Sequence, residues 1–243
     1  MLREHRTLLQ WVIEDKFNNE RPAWETSIAN IMLTDDVIPF ENMKLRLNGT
    51  HSSIAYLGYL AGYQTVSETM SDPSFSAFIR YLMDKEISPS VDVKGIDLEA
   101  YKDQLIARYQ NIALQHRTWQ IAMDGSQKLP QRFLQTIAFG LENDINISGL
   151  VLAVAAWMKY VSGRDENGED IDIRDPLKAT FNEIWRAHGD STSDVVSAFL
   201  SLDSVFSAEL ASNSIFKAQL IDALNQLIEH GSKQSVQQFI QTV

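Results

Sequence analysis

The chain of 243 residues contains no cysteine. This absence excludes disulfide bonds, thiolate catalysis and metal sites built on cysteine, and it agrees with a reducing compartment. Long hydrophobic runs are also missing, because the longest, Gly149 to Met158, is far below the roughly 20 residues that cross a bilayer. The first residues, MLREHRTLLQW, lack the apolar core of a secretory signal. These absences predict a cytoplasmic protein without membrane contact.

Several functional motifs are absent as well. None of the eleven glycines forms a GxGxxG turn or a phosphate-binding loop, so the chain has no sequence for cradling a dinucleotide pyrophosphate. The five histidines make no HExxH or other metal-binding spacing, which predicts no metal site. No GxSxG nucleophile motif occurs.

Positive charge is scarce in this sequence. It holds 21 lysines and arginines against 32 aspartates and glutamates, a formal net charge of −11. A surface of this sign repels the phosphate backbone, so a nucleic-acid partner is not expected.

Helical periodicity dominates from Pro39 onward. Residues 146–161 are apolar nearly all round, which predicts a buried central helix. Pro130 is expected to start a helix and Gly231 to end one, and a short strand is expected at 31–33. Repeated helices with few strand patterns predict an all-α domain. After Asp72-Pro73, the helical pattern i, i+3, i+4, i+7, i+8 is formed by Phe75, Phe78, Ile79, Leu82 and Met83.

Three polar residues lie close together between Pro39 and Tyr63. Lys44, Asn48 and His51 are four and then three residues apart, which on a helix places them on one face within about 60°. A lysine and a histidine on one face can exchange a proton with a substrate hydroxyl, and an asparagine between them can orient it. The same spacing also occurs on solvated helix faces, so spacing alone leaves both interpretations open.

A second polar motif occupies residues 116–132, HRTWQIAMDGSQKLPQR. Its Asp124-Gly125-Ser126 sequence predicts a turn that Lys128 follows closely. Lys128 can hold a substrate carboxylate or hydroxyl by a charge-assisted hydrogen bond. The alternative is a capped structural loop in which the lysine stem lies along the surface with its amine in water.

These stretches resemble one enzyme family. Residues 44–52, KLRLNGTHS, and 55–62, AYLGYLAG, resemble the catalytic helix of the polyol-specific long-chain dehydrogenases, which include mannitol dehydrogenases and fructuronate reductases. Residues 116–132 and 157–176 are most similar to the fructuronate reductase (D-mannonate oxidoreductase) branch. Residues 10–25 resemble the segment that closes the nucleotide-binding domain of these enzymes.

The resemblance implies a fold and a division into domains. Residues 36–243 would form an all-α, multi-helix C-terminal domain of the 6-phosphogluconate-dehydrogenase-like type, which binds substrate and carries the catalytic residues. Residues 1–35 would be the tail of an α/β nucleotide-binding domain whose main body is missing from this chain. That domain would bind NAD, with NADP as the alternative, because the residue that reads the ribose lies there.

The resemblance also implies a reaction. A sugar acid or polyol and its keto form would be interconverted with NAD(P), most closely D-mannonate and D-fructuronate. Lys44 would act as the acid/base, and Asn48 and His51 would hydrogen-bond the reacting oxygen. Mannitol or altronate oxidation is one alternative, and a truncated, non-catalytic helical domain is another.

Three further positions receive roles from the same resemblance. Lys128, with Gln120 nearby, would hold the acid end of the substrate. Glu41 would relay protons to solvent, although a plain helix-terminal charge is an equal interpretation.

The first motif departs from the family in one respect. Three residues separate Lys44 from Asn48, where the family usually has four. Either Lys44 is rotated by about 100° from the family geometry, or a tighter turn of the helix absorbs the difference.

Overall fold

The structure is a computed structural model that describes residues 11–26 and 31–243. Residues 1–10 and 27–30 of the predicted N-terminal segment lie outside the described residues. Helices make up most of the described chain, which confirms the predicted all-α class. The strands and helices are β1 (Trp11–Glu14), β2 (Ile31–Thr34), α1 (Ile38–Leu47), α2 (Gly49–Leu60), α3 (Val66–Ser71), α4 (Pro73–Tyr81), α5 (Leu98–Tyr109), α6 (Thr118–Ile121), α7 (Gly125–Leu129), α8 (Gln135–Glu142), α9 (Ser148–Tyr160), α10 (Lys178–His188), α11 (Thr192–Leu200), α12 (Ala208–Ser212) and α13 (Ser214–Thr242). Short 3-10 turns occur at Trp24–Thr26 and Ser88–Ser90, and π-helical segments at Leu82–Ile87 and Pro130–Leu134.

Strands β1 and β2 form a small parallel pair, with Trp11 opposite Ile31 and Glu14 opposite Thr34. Strand β2 confirms the strand predicted at residues 31–33, whereas β1 has no counterpart among the predicted elements. Two strands alone bury little surface, so the pair adds little to the stability of the described chain. The assignment of residues 1–35 to a nucleotide-binding domain stays a prediction.

Helix α9 lies at the centre of the helical domain. All of its residues from Gly149 to Met158 are buried, as is Tyr160, which confirms the central helix predicted at 146–161. Because the helix is apolar on every side, neighbours cover it all round, and helices α2 and α13 pack along it. None of the described helices combines the length and the apolar character that a bilayer crossing requires.

A buried carboxylate holds the beginning of α9. Glu86, on the π-helical segment Leu82–Ile87, accepts hydrogen bonds from Gly149 N at 2.8 Å and from Leu150 N at 2.7 Å. N–H groups of a first helical turn have no partner within the helix and lie at the positive end of its dipole. Burial raises the pKa of Glu86 to about 7, although the two hydrogen bonds favour its charged form. One side chain thus joins elements that are 63 residues apart.

Three helices begin at recognisable local signals. Pro39 lies in the first turn of α1. Asp72 caps α4 and Ser191 caps α11, and in both cases the side-chain oxygen accepts a backbone N–H of the first turn. These signals act within a few residues, so no tertiary contact is needed to recognise them.

The prediction that Pro130 starts a helix is wrong. The helical path begins at Gly125 and continues through α7, the π-helical segment Pro130–Leu134 and α8. Proline has no N–H and disturbs the preceding turn, and the backbone bonds shift to the π-helical pattern at this point. Gly231 interrupts α13 as predicted, with φ 75° and ψ 167°, and the helix resumes at the next residue.

We expect Glu86→Gln to change the pH dependence of stability. The folded-state pKa of about 7 lies above the usual 4.5, so the contribution of Glu86 is complete below about pH 4.5 and is lost as the pH rises through about 7. The stability of the wild type relative to Glu86→Gln should therefore fall between about pH 4.5 and pH 7. At 1.4 kcal/mol per pKa unit the change reaches roughly 3 kcal/mol.

Urea unfolding followed by circular dichroism at several pH values measures this difference. Glu142→Gln, at an exposed position on α8, is the matched control and should follow the wild type. A constant difference between wild type and Glu86→Gln across this range would contradict the assigned role.

Candidate active site

The first turn of α2 carries His51, one of the predicted catalytic residues. Its ring stacks on Tyr109, at the end of α5, with ring centroids 5.0 Å apart and an interplanar angle of 19°. The ring of His116 lies 5.9 Å from it. His51 Nε2 is shielded from solvent and has no hydrogen-bond partner among the described residues. Because burying an unpaired polar atom is costly, this nitrogen is a candidate contact for a ligand.

Tyr109 supports this wall of the site. The Thr50 hydroxyl donates its proton to Leu47 O at 2.6 Å, so in its 3.1 Å bond with Tyr109 the phenol is the donor. Burial raises the pKa of Tyr109 well above its usual value of 10, which keeps the phenol protonated. The hydrogen bond and the stacking together hold the plane of the His51 imidazole.

His51 is surrounded by positively charged groups. Burial, followed by the charges of His116 and Arg132, lowers the pKa of His51 to about 3, and Arg108 and Lys128 act in the same direction. The imidazole is therefore neutral near pH 7. A neutral ring can donate or accept a hydrogen bond at Nε2, according to its tautomer. It can thus bind a hydroxyl or carbonyl oxygen of a substrate.

Lys128 and Arg132 approach this region from α7 and from the π-helical segment. Lys128 Nζ donates to Ile121 O at 3.2 Å and also to Met123 O. Arg132 Nη1 donates to Ser52 Oγ, on α2, at 2.8 Å. Burial lowers the pKa of both cations. Residues far apart in sequence thus place two cations beside the first turn of α2.

The contact between α2 and the π-helical segment depends on Gly49. A Cβ at Gly49 would lie 2.7 Å from Arg132 O and 3.2 Å from the ring of Phe133. The nearer of these atoms belongs to the backbone, which cannot move aside as the end of a side chain can. The glycine of the LNGTH sequence therefore permits the approach that brings Arg132 to Ser52.

The structure corrects the single helix expected for the first motif. Helix α1 ends at Leu47 and α2 begins at Gly49, with Asn48 between them at φ −67° and ψ −11°. His51 N donates to Asn48 O at 3.1 Å, three residues back instead of four, so the turn is tighter than an α-helix. Glycine, a poor helix former, lies at this break. This tighter turn follows Asn48, whereas Asn48 N donates to Lys44 O at 2.9 Å in the ordinary α-helical pattern. Both alternatives for the shorter Lys44–Asn48 spacing therefore stay predictions.

The remaining predicted site residues differ in exposure. Lys44 is half-buried in the last turn of α1, and Asn48 is half-buried at the junction. Glu41 is exposed in the first turn of α1, and Gln120 is exposed on α6. Gln120 directly precedes Ile121, whose carbonyl accepts a hydrogen bond from Lys128. Gln120 and Lys128 are therefore neighbours through Ile121. The catalytic roles of all these residues stay predictions.

Three residues of this site are absent from the sequence predictions. His116 and Arg132 are the two ends of the second motif, and that position is the one signal in the sequence that points to them. Tyr109 follows the apolar period of α5. A periodic pattern cannot distinguish the wall of a site from ordinary core.

The charged and unpaired groups around His51 identify the candidate site, and the size of a cavity does not. A cavity of about 650 Å³ lies between α9 and α13, and no predicted site residue lines it. Within the described ranges, no three His, Asp or Glu side chains gather in a way that could hold a metal ion. The surroundings of His51 combine cations with a buried, unpaired nitrogen, so we take them as the candidate active site.

Comparison with known sequences identifies the family. The sequence model of the mannitol dehydrogenase C-terminal domain matches residues 36–228. The chain belongs to this family. It is 47% identical over 229 residues to the uncharacterized oxidoreductase YeiQ of Escherichia coli (strain K12), covering 94% of this chain and 46% of that protein. It is 45% identical over 229 residues to D-mannonate oxidoreductase of the same strain, covering 93% and 46%.

The fold agrees with this assignment. The mannitol 2-dehydrogenase of Pseudomonas fluorescens, solved as a ternary complex with NAD and D-mannitol, matches with a TM-score of 0.86 and 34% identity. The match covers 96% of this chain and 47% of that chain. The predicted family and its helical C-terminal fold are therefore confirmed. The chain spans about half the length of the curated relatives that it matches.

We expect the His51 imidazole to stay neutral well below the usual titration range of histidine. With a pKa of about 3, its ring nitrogens should show constant neutral-form shifts in ¹H–¹⁵N correlation spectra from about pH 8 to pH 5. Arg132→Gln should raise this pKa, because one of the repelling charges is removed. The His51→Gln variant assigns the signal, and a His51 ring that titrates between about pH 6 and pH 7 would contradict the geometry.

We also expect Gly49→Ala to destabilise the chain by about 1–3 kcal/mol, the usual range for overpacking a core. The added methyl group would press on the backbone carbonyl of Arg132 and push α2 away from the π-helical segment. The midpoint of urea unfolding measures the effect. An unchanged midpoint would mean that the junction adjusts without cost.

Proposed function

We propose that this chain is the substrate-binding, acid–base part of an NAD-dependent oxidoreductase that interconverts a sugar acid or polyol and its keto form. The preferred pair is D-mannonate and D-fructuronate. The observation that carries the proposal is the buried, unpaired Nε2 of a neutral His51 among cations. Membership of the family and the names of its relatives, D-mannonate oxidoreductase and mannitol 2-dehydrogenase, support the reaction class.

The donor groups around His51 suit the oxygens of a substrate better than a dinucleotide. A pyrophosphate binds best at a glycine-rich turn before a helix, and this sequence contains no such motif. We therefore assign NAD mainly to a nucleotide-binding domain outside this chain. When bound, NAD takes up or returns the hydride of the substrate carbon.

The residues of this chain handle the proton and the substrate oxygen. During oxidation the unprotonated amine of Lys44 takes the proton of the substrate hydroxyl, and during reduction the resulting ammonium returns it. Asn48 donates a hydrogen bond to the reacting oxygen and stabilises the charge that develops on it. His51 binds the same oxygen or its neighbour through Nε2. Glu41, exposed one turn before Lys44, passes the proton to solvent.

A local group of cations overcomes the unfavourable charge of the whole chain. With a net charge of −11, the chain repels an anionic substrate at long range. Lys128 keeps one donor after its bonds to two carbonyls, and this donor holds the acid end of the substrate. The exposed amide of Gln120 adds a hydrogen bond beside it.

The test is the turnover of the full-length natural protein that contains this chain, followed by NADH absorbance. The wild type should oxidise D-mannonate and reduce D-fructuronate. Lys44→Ala should lower kcat by about 100- to 10,000-fold, the usual contribution of a general acid or base. Lys178→Ala, an exposed lysine at the start of α10, is the matched control and should leave kcat unchanged.

Two results would contradict the proposal. If Lys44→Ala and Lys178→Ala behave alike, Lys44 is not the acid/base. If the wild type turns over none of D-mannonate, D-altronate and D-mannitol, the chain is instead a helical domain without catalytic activity.

A further inference from the structure

The buried cation Lys102 has carboxylate partners. Lys102 is 2% exposed, and its amine lies 2.5 Å from Asp84 and 2.6 Å from Glu99. Acidic residues outnumber basic ones by 32 to 21, so partners are plentiful. Pairing of this kind offsets the cost of taking a charge out of water.

Arg132 departs from this pattern. Its guanidinium donates to Ser52 Oγ, and no carboxylate of the described residues lies within ion-pair distance of it. The ionisable groups that favour its charge are Tyr56 and Tyr109, and both are buried phenols whose pKa is raised. Arg132 is therefore a half-buried charge without an anion.

Lys128 is a weaker candidate for binding an anion. Two of its three donors already serve backbone carbonyls, and Asp124 and Asp175 lie close enough to favour its charge. Arg132 has five N–H donors and uses one of them on a side chain. Most of its hydrogen-bonding capacity therefore remains for a ligand.

The position of Arg132 connects it to the candidate active site. Its hydrogen-bond partner Ser52 directly follows His51 on α2, and its charge is among the first causes of the lowered pKa of His51. The backbone of Arg132 is held against α2 at Gly49. A ligand that reaches His51 Nε2 thus lies within the electrostatic field of the guanidinium.

We propose that Arg132 is the principal anchor for the substrate carboxylate and that it makes the site prefer sugar acids over neutral polyols. This inference rests on the proposed function and deepens it. A planar guanidinium can bind both oxygens of a carboxylate through two parallel hydrogen bonds, whereas an ammonium acts as a point charge. Lys128 then has a secondary role at the acid end.

The experiment compares an acid with its neutral analogue. Binding of D-mannonate and of D-mannitol to the full-length natural protein is measured by isothermal titration calorimetry, and kcat/KM is measured with NAD. Arg132→Gln should weaken D-mannonate binding and its kcat/KM by about 10- to 100-fold, the range for hydrogen bonds to a charged group. The affinity and kcat/KM for D-mannitol should change by less than about threefold. For D-mannonate, the affinity of Arg132→Lys should lie between those of the wild type and Arg132→Gln.

Arg186→Gln, which removes the same charge from an exposed position on α10, is the matched control and should bind both ligands as the wild type does. Circular dichroism verifies that each variant is folded. If Arg132→Gln does not fold, Arg132→Lys becomes the test variant. A loss of affinity for D-mannonate, with D-mannitol binding unchanged, then supports the inference.

Each remaining outcome is decisive. Equal losses for the acid and the polyol would assign Arg132 a purely structural role through Ser52 and overturn the inference, as would unchanged D-mannonate binding or a wild type that binds no D-mannonate. A wild type that binds D-mannonate but turns over neither ligand would contradict the proposed function, whereas the calorimetric comparison would still test the anchor.

Discussion

The burial of helix α9 is the constraint on which the rest of the domain depends. A helix that is apolar on all sides must be covered on all sides, so α2 and α13 pack along it. Its first turn would leave N–H groups unpaired in the interior, and Glu86 supplies the acceptors from a distant π-helical segment. Because α2 is set by this packing, the direction in which its first turn presents His51 is set as well.

Both π-helical segments carry a buried or half-buried charge. The first carries Glu86, whose pKa of about 7 leaves it partly protonated near pH 7 and whose charged form is stabilised by the N–H groups of the helix that it caps. The second carries Arg132, which lacks an anionic partner among the described residues. A π-helical turn departs from the regular backbone pattern and often marks a functional position. In this chain one such turn serves stability and the other faces the candidate site.

The features that could be predicted correctly depend on interactions between residues close together in the chain. Helix α9 and the periodic face of α4 could be predicted, because each depends on neighbours within a few residues. Pro130 was expected to start a helix, yet the helix runs through it in a π-helical turn. The break between α1 and α2 at Asn48 likewise does not follow from the spacing of Lys44, Asn48 and His51.

The sequence by itself determined the family, the all-α class and the identity of the polar residues in the two motifs, since these follow from local patterns and from resemblance. Only the tertiary structure decided which groups meet. Tyr109 reaches His51 across 58 residues of chain, and Arg132 reaches Ser52 across 80. The neutral state of His51 depends on burial and on charges from three separate segments. Such a state is a property of the folded arrangement, because in the extended chain these groups are solvated and far apart.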